Sequence, residues 1–292
     1  MPAAVTGTLL EWNSASKPDH MPAKPRVCAV GYLNTSPLVW GFLHGPQRNR
    51  LELSFRLPAE CADLLKAGLV DVGLPPTIEL AANPDWVVIP GCSISSTGPV
   101  ASVLLVCRKP IEDLQTLAAD TSSRTSVALA QIILARRYHR YVKIRPYPPR
   151  LDEMLDLADA ALIIGDPALK LSPAEGLRVY DLGAEWDALT RLPMVYAVWA
   201  VRRPAADPEL GALFQASAQF GLAHLDDIAE CDAPPRGLAP ELARRYLADH
   251  IRFGFGEPER RGLALFLEYA ADLGLVPRKS SLETLDEPVL AV

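Results

Sequence analysis

The chain has 292 residues, of which 49% are hydrophobic and 22% are charged, and its formal net charge is −6. This composition is typical of a soluble globular protein with one large or two modest domains. It argues against nucleic-acid binding, because Lys and Arg are scattered and do not alternate with aromatic residues. A membrane span is also unexpected, because no apolar run approaches about 20 residues.

Neither the cysteines nor the N-terminus indicates export or a metal site. The five cysteines form no C-x-x-C pair and no Cys/His cluster with zinc spacing. We therefore expect reduced thiols, which are usual in the cytoplasm, and no metal. Residues 1–25 contain four prolines and lack a basic start followed by a long apolar stretch. We interpret them as a disordered or loosely ordered extension, not as a secretory signal.

The first predicted strand leads into a turn that is rich in polar donors. Residues 26–30 form an apolar run that predicts a strand, and helical spacing follows. Thr35 or Ser36 would cap this helix, with Pro37 in its first turn. Asn34 lies just ahead of the helix and can both donate and accept, which suits a substrate hydroxyl or carboxylate. A turn asparagine that bonds its own backbone is an equally good interpretation.

Strands and helices then alternate up to residue 107, which predicts an open, mostly parallel sheet. Strands are predicted over residues 51–57, 71–74, 86–90 and 101–107, with helices over 58–67 and around Glu79. For Glu79 we favour a surface or structural role over a catalytic one. Between two of these strands, residues 91–99 predict a Gly/Ser/Thr loop, in which Ser96, Thr97 and Gly98 would expose backbone N–H groups. Most such loops are only turns.

A hydroxyl-rich turn covers residues 120–126, between a predicted strand over 116–119 and a predicted helix over 127–137. Five hydroxyl side chains in six positions exceed what one helix cap needs. An anion can take helix N–H groups at such a turn, and Arg124 can grip a carboxylate with two hydrogen bonds. The alternative is an elaborate cap with a surface arginine, and these residues alone leave both open.

The remaining pattern predicts a second α/β unit and a set of helices. After a boundary at Lys109-Pro110, strands are predicted over 116–119, 142–145 and 160–164, with a short helix over 151–157. Gly165 and Asp166 form another strand-to-helix turn, for which we favour Asp166 as a cap over an acid/base role. The apolar run over 194–201 would return the chain to the first lobe, which is completed by helices over 210–222, 240–250 and 257–273.

These elements predict two lobes around a ligand cleft. Lobe 1 would comprise residues 26–108 and 198–292, and lobe 2 residues 109–197. Two crossing segments would join them, as in a hinge-closing ligand binder, with the polar turns of both lobes facing the cleft. No G-x-S-x-G, G-x-G-x-x-G or P-loop motif is present, and the five histidines lie outside the donor-rich turns. Composition and spacing thus predict a two-lobed binder of a small anion.

Taken together, the turns resemble those of the chorismate dehydratase family of the futalosine route to menaquinone. The matching segments occur in order across both lobes, over residues 31–38, 70–75 with Glu79, 96–105, 120–126, 161–166 and 192–199. The resemblance implies a type 2 periplasmic-binding-protein-like fold, with mixed, mostly parallel sheets flanked by helices. It also implies a cytoplasmic enzyme without a redox cofactor or metal. A sister enzyme, 1,4-dihydroxy-6-naphthoate synthase, shares the fold, but the Tyr-Leu-Asn-Thr-Ser-Pro setting of Asn34 favours the dehydratase.

The resemblance implies that chorismate, a dicarboxylate, loses water to give 3-[(1-carboxyvinyl)oxy]benzoate. Asn34 would lie at the reacting centre and form a hydrogen bond with the hydroxyl or the enolpyruvyl group of chorismate. The proton-abstracting base would be Asp166, Glu79 or the substrate's own side-chain carboxylate, and we favour the last. The alternative outside the enzymes is a non-catalytic protein that binds small anions.

The substrate-binding residues follow from the same resemblance. One carboxylate would be held by the hydroxyl-rich turn: Ser122, Ser123, Arg124, Thr125 and Ser126. The other carboxylate, or the ring hydroxyl, would be held by Thr35, Ser36, Ser96, Thr97 and Gly98. Gly165 and Asp166 would complete the site on the second lobe.

Overall fold

Two five-stranded sheets form the frame of a computed structural model, which describes residues 24–120, 122–172, 175–278 and 283–285. The predicted extension over residues 1–25 lies outside the described residues as far as residue 23. In spatial order, the first sheet consists of β2 (Glu52–Arg56), β1 (Arg26–Val30), β3 (Val72–Gly73), β10 (Met194–Arg202) and β4 (Trp86–Ser96). The second consists of β7 (Lys143–Pro146), β6 (Thr116–Ala119), β8 (Ala160–Ile164), β5 (Val103–Cys107) and β9 (Arg178–Asp181).

The sheets are mixed and mostly parallel, as predicted, because four of the five strands in each sheet run in the same direction. Strand β1 runs parallel to β2 and β3, and β6 runs parallel to β7 and β8. The strands β10 and β5, which follow the two crossings between the sheets, run antiparallel to both of their neighbours. Because a crossing chain re-enters a sheet from the opposite end, it reverses the direction of that strand.

Helices cover both sheets. Within the described residues they are α1 (Ser36–His44), α2 (Pro58–Lys66), α3 (Arg124–Tyr138), α4 (Leu151–Leu157), α5 (Asp166–Leu169), α6 (Leu182–Thr190), α7 (Pro208–Leu222), α8 (Leu225–Asp232), α9 (Pro240–Arg245) and α10 (Glu257–Asp272). None of the helices in the described part of the chain combines the length and apolarity that a membrane crossing requires. We use lobe 1 and lobe 2 for the first and second sheet with the helices that pack on them.

The sheet membership differs from the predicted lobe boundaries by a few residues. The prediction assigned Val103–Cys107 to lobe 1, but this strand pairs with β8 and β9 of the second sheet. It assigned Met194–Ala197 to lobe 2, but these residues pair with β4 of the first sheet. An apolar run predicts a buried strand but not the sheet that it joins, because the interior strands of both sheets are buried.

The prediction of a loop over residues 91–99 is wrong for residues 91–96, because β4 continues to Ser96. The backbone N–H groups of Ser93 and Ser95 donate to the carbonyls of Phe253 and Arg252. Gly91, with φ +81°, lets the strand bend and continue. The serines of this segment therefore lie in a strand, because their backbone N–H groups bond carbonyl groups that are distant in the sequence. Two further differences are that α3 begins at Arg124, not at 127, and that α8 was not predicted.

Asp159 ties the start of β8 to the start of β6. Its Oδ2 accepts from the backbone N–H groups of Gln115 and Thr116, and Oδ1 pairs with Lys109 at 2.6 Å. Burial alone would raise the pKa of Asp159, but Lys109 and the N–H donors outweigh it and lower the pKa to about 2.

We expect Asp159→Ala to lower the free energy of unfolding at pH 7 by about 2 kcal/mol, measured by urea denaturation, because a carboxylate with several donors is lost. A depressed carboxyl pKa stabilises the fold above the ordinary value of 3.8, and that contribution disappears as the pH falls through about 2. The difference between wild type and variant should therefore shrink from pH 4 to pH 2. A difference that is constant over this range would contradict the assignment.

Candidate functional site

A cleft that opens to solvent lies between the two lobes, and about 500 Å³ of it, including the open part, is not occupied by atoms. Its lobe 1 wall consists of Val30, Tyr32, Asn34, Pro58, Pro76, Ile94, Tyr196 and Ala197. Its lobe 2 wall consists of Ser102, Val103, Ser123, Ser126, Ile164 and Gly165. The lining comes from strand ends and from the turns that start α1, α2, α3 and α5, so the predicted meeting of polar strand-to-helix turns from both lobes is found at this cleft.

Asn34 occupies the turn between β1 and α1 and lines the cleft. Its Nδ2 donates to the hydroxyl of Tyr246 at 3.1 Å. Its Oδ1 is buried and has no hydrogen-bond partner among the described residues. This contact favours the ligand-facing interpretation of Asn34 over a turn asparagine that bonds its own backbone. A buried carbonyl oxygen without a donor is costly, so the cleft offers an acceptor that a ligand can satisfy.

Thr35 and Ser36 follow Asn34 but do not line the cleft. Thr35 is the N-cap residue of α1, although its side chain makes no capping bond, and its buried Oγ1 lacks a partner within the described chain. Ser36 donates its hydroxyl proton to Asp232 at 2.6 Å. The Ser36 hydroxyl is thus used inside the protein.

The hydroxyl-rich turn enters the cleft with two of its side chains. Ser123 and Ser126 line the cleft, and their hydroxyls lie 2.8 Å apart. Ser123 is the N-cap of α3 and accepts from the backbone N–H of Ser126. Ser122 has a buried Oγ without a partner in the described residues, whereas Thr125 accepts from the Ile78 N–H. Thr121 of the same turn lies outside the described residues.

The side chain of Arg124 does not belong to the cleft. It pairs with both carboxylate oxygens of Asp63 at 3.0 Å and with Glu79 at 2.9 Å, and none of the three lines the cleft. The guanidinium is committed to carboxylates of lobe 1, so it connects α3 to that lobe. This contradicts the predicted carboxylate grip by Arg124 and supports the structural role of Glu79.

We expect Arg124→Gln to leave KM and kcat within about threefold of wild type, because exposed ion pairs contribute little. Steady-state kinetics with the substrate proposed below provide the measurement. A guanidinium that gripped a substrate carboxylate would behave differently, and its loss would raise KM at least tenfold. That result would restore Arg124 to the site.

None of the three predicted loop residues, Ser96, Thr97 and Gly98, lines the cleft itself. Ser96 bonds the hydroxyl of Tyr196 at 2.9 Å, and Tyr196 lines the cleft. Thr97 is exposed, and Gly98 turns the chain with φ +81°. Of these three, Ser96 alone contacts a lining side chain in the described residues. Burial raises the pKa of Tyr196 well above its ordinary value, so its hydroxyl stays protonated at neutral pH.

Gly165 and Asp166 join the two lobes. Gly165 has φ +65°, and a Cβ there would lie 2.9 Å from ring atoms of Tyr32, so glycine allows that ring to pack on the turn. Asp166 was predicted to cap α5, but it makes no capping bond. Its carboxylate accepts from the Leu33 N–H of lobe 1 at 2.9 Å and pairs with Arg236 at 3.3 Å. The backbone N–H of Leu33 in lobe 1 thus takes the place of the α5 backbone N–H group from which a capping carboxylate would accept. Burial raises the pKa of Asp166 despite these partners.

Four polar residues of the site were not assigned from the sequence, namely Tyr32, Ser102, Tyr196 and Tyr246. The first three line the cleft, and Tyr246 contacts both Asn34 and Ser102. Tyr32, Ser102 and Tyr196 lie inside the segments that carried the family resemblance. That resemblance could therefore have identified them as site residues. Tyr246 lies in a helix far along the chain, and no local pattern distinguishes it.

The cleft has no charged side chain among its described lining residues. Its electrostatic character comes from hydroxyls, from the amide of Asn34 and from the positive end of α3. The described residues also contain no group of three or more His, Cys, Asp or Glu side chains that could hold a metal ion. The arrangement can bind and orient a small polar molecule by hydrogen bonds.

Solved structures share this fold. A protein from Archaeoglobus fulgidus superimposes with a TM-score of 0.70 at 17% identity, covering 88% of this chain and 100% of that one. The periplasmic aliphatic sulphonate binding protein SsuA from Escherichia coli has a TM-score of 0.62 at 18% identity, covering 93% and 96% of the two chains. At these identities the likeness shows the fold alone, and it confirms the predicted periplasmic-binding-protein-like architecture.

Sequence comparisons are more specific. A profile of the family described as menaquinone biosynthesis matches residues 25–272. The chain is also 31% identical over 263 residues to a chorismate dehydratase from Thermus thermophilus, and the alignment covers 81% of this chain and 92% of that protein. These matches confirm the resemblance found in the sequence motifs. The chain belongs to the menaquinone biosynthesis family.

Proposed function

We propose that this protein is a chorismate dehydratase, a hydro-lyase that converts chorismate to 3-[(1-carboxyvinyl)oxy]benzoate and water. The Thermus thermophilus relative carries that enzyme name, and the matching family serves menaquinone biosynthesis. The observation that carries the proposal is a cleft whose described lining offers hydroxyl and amide groups but no ionised side chain. Such a lining suits a small dicarboxylate that reacts by losing a neutral molecule of water.

One carboxylate of chorismate would bind at the start of α3. Helix geometry leaves the N–H groups of Arg124 and Thr125 without an acceptor inside the helix. The hydroxyls of Ser123 and Ser126 stand beside them in the cleft lining. The positive end of the helix dipole favours an anion at this point. The hydroxyl-rich turn therefore remains the proposed carboxylate site, with Arg124 contributing its backbone and not its side chain.

The second carboxylate and the ring hydroxyl would bind on the opposite side of the cleft. Asn34 offers a free acceptor there, and the hydroxyl of Tyr196 offers a polar contact. Ser96 would act through its bond to Tyr196. Ser36 does not belong to this set, because its hydroxyl is already bonded to Asp232.

The reaction removes a proton from the ring carbon that bears the enolpyruvyl ether, and the hydroxyl on the neighbouring carbon departs. The C–H electron pair enters the ring, and the proton and hydroxide together make up the water. Aromatisation drives the reaction, so the protein mainly has to orient groups and stabilise charge. The described lining contains no carboxylate, histidine or lysine to act as base. This supports proton abstraction by the substrate's own side-chain carboxylate.

Variants of the two rival bases test this point. We expect Glu79→Gln and Asp166→Asn to keep kcat within about threefold of wild type, whereas loss of a general base costs at least about 100-fold. Asp166→Asn should raise KM, because its carboxylate joins Leu33 of lobe 1 to lobe 2. Steady-state kinetics and calorimetric binding of chorismate provide the measurements. A collapse of kcat with unchanged chorismate affinity in either variant would count against self-catalysis.

The activity itself is tested by mixing purified protein with chorismate. The ultraviolet spectrum should change as the cyclohexadiene becomes a benzene ring, and the product mass should be that of chorismate minus one water. Binding without conversion would make the protein a small-anion binder. Inertness toward chorismate, with turnover of a cyclised futalosine derivative, would instead identify the 1,4-dihydroxy-6-naphthoate synthase reaction.

We also place this activity in the cytoplasm as part of the proposal. The five cysteines are free thiols, and four of them are buried. Free thiols are usual where the environment is reducing.

A further inference from the structure

Tyr246 connects Asn34 to the second lobe. Its side chain is 2% exposed and lies at the start of a single π-helical turn, Tyr246–His250, that follows α9. Such turns are frequent at functional sites. The phenolic oxygen lies 3.1 Å from Nδ2 of Asn34 and 2.8 Å from Oγ of Ser102. Three segments that are far apart in the sequence thus meet at one oxygen.

The direction of these hydrogen bonds follows from the number of protons. The amide nitrogen of Asn34 has only protons to offer, so it donates to the Tyr246 oxygen. The single proton of Tyr246 then goes to Ser102. Burial raises the pKa of Tyr246, so the hydroxyl keeps this proton at neutral pH. The chain of donors therefore runs from Asn34 through Tyr246 to Ser102.

This direction decides which atom of Asn34 is left for a ligand. Because Nδ2 is bound by Tyr246, the carbonyl oxygen Oδ1 is the atom without a partner among the described residues. An oxygen of this kind can only accept a hydrogen bond. At neutral pH, the two carboxylates of the proposed substrate are also acceptors, and its ring hydroxyl is its one donor. Oδ1 therefore matches the hydroxyl that leaves.

We propose that Tyr246 is a positioning residue that fixes the amide of Asn34 so that Oδ1 accepts from the leaving hydroxyl of the substrate. This inference rests on the proposed dehydratase function. It also explains how substrate would be distinguished from product. The product has lost the hydroxyl and leaves Oδ1 unpaired, and sites built to bond a hydroxyl reject analogues that lack it.

Tyr246→Phe removes the phenolic oxygen and keeps the ring. The amide of Asn34 is then free to turn its nitrogen toward the ligand, so we expect kcat/KM for chorismate to fall about tenfold. The ratio of the product's inhibition constant to the KM of chorismate should fall as well, because the preference for a hydroxyl donor is lost. Ser102→Ala removes the hydroxyl that accepts the proton of Tyr246. It should also lower kcat/KM and the product-to-substrate ratio, but by less than Tyr246→Phe does.

Two controls separate positioning from a general structural effect. Tyr138→Phe removes a phenolic hydrogen bond to Glu185 outside the cleft, and it should change neither quantity. In an Asn34→Ala background, Tyr246→Phe should have no further effect on kcat/KM, because Tyr246 acts through Asn34. Thermal unfolding of each variant checks the fold. If Tyr246→Phe does not fold, Ser102→Ala carries the same test.

The outcomes distinguish this inference from the function on which it rests. Wild-type protein that fails to convert chorismate would overturn the proposed function and the inference with it. Active wild type, with losses from Tyr246→Phe and Asn34→Ala that are additive, would overturn the positioning role alone. An unchanged product-to-substrate ratio in Tyr246→Phe would do the same.

Discussion

Asn34→Ala should lower kcat for chorismate about 100-fold and change KM much less. Asn34 is the proposed contact to the leaving hydroxyl, and its amide is held in one orientation by Tyr246. Loss of one well-oriented contact at the reacting centre typically costs about this factor, whereas binding of the two carboxylates by other groups would persist. Steady-state kinetics that resolve kcat from KM provide the measurement.

Asn83→Ala is the matched control for this variant. Asn83 is also a largely buried asparagine of lobe 1, but its amide donates to the carbonyl of Glu79 outside the cleft. We expect it to lose some stability and to keep kcat. An Asn34→Ala variant with wild-type kcat would remove Asn34 from the chemical step.

Gly221→Ala should destabilise the fold by about 2–3 kcal/mol. Gly221 lies inside α7, where alanine is normally favoured over glycine by roughly 1 kcal/mol. A Cβ at this position, however, would lie 2.0 Å from the carbonyl oxygen of Pro37 in α1. The two helices would have to separate, and the cost exceeds the gain in helix propensity. Urea denaturation should show a lower midpoint with an unchanged slope.

The same variant should also reduce activity, because α1 begins two residues after Asn34. Gly254→Ala is the control, since a Cβ there meets no heavy atom within 4 Å and the backbone has no positive φ. It should change the free energy of unfolding by less than about 1 kcal/mol. If Gly221→Ala were as stable as Gly254→Ala, the close packing of α7 on α1 would be wrong.

The elements that could be predicted from the sequence are those with an unambiguous hydrophobic pattern. Strand β8 and helix α4 match their predicted ranges, because a fully buried five-residue run and a short helical period each have one interpretation. The meeting of Asn34, Ser123, Ser126 and Gly165 at one cleft was also predictable. Turns at the carboxyl ends of parallel strands face the same crevice, whatever joins them.

Features that depend on distant partners could not be predicted in the same way. Arg124 finds carboxylates 45 and 61 residues away, and only the folded chain shows that they take the guanidinium before a ligand can. Tyr246 lies 212 residues from Asn34 and reaches it by way of a π-helical turn that has no sequence pattern. In both cases local chemistry identifies what a side chain is able to bind, while tertiary contacts decide what it does bind.

A crystal structure of the Asn34→Ala variant with chorismate tests the central claim most directly, because slow turnover keeps the substrate in place. We expect chorismate between the lobes, with one carboxylate at the backbone N–H groups and hydroxyls that start α3. Its ring hydroxyl should point toward the space vacated by the Asn34 side chain. Chorismate bound elsewhere, or lobes arranged so that Ser102 and Ser123 share no cavity, would contradict it.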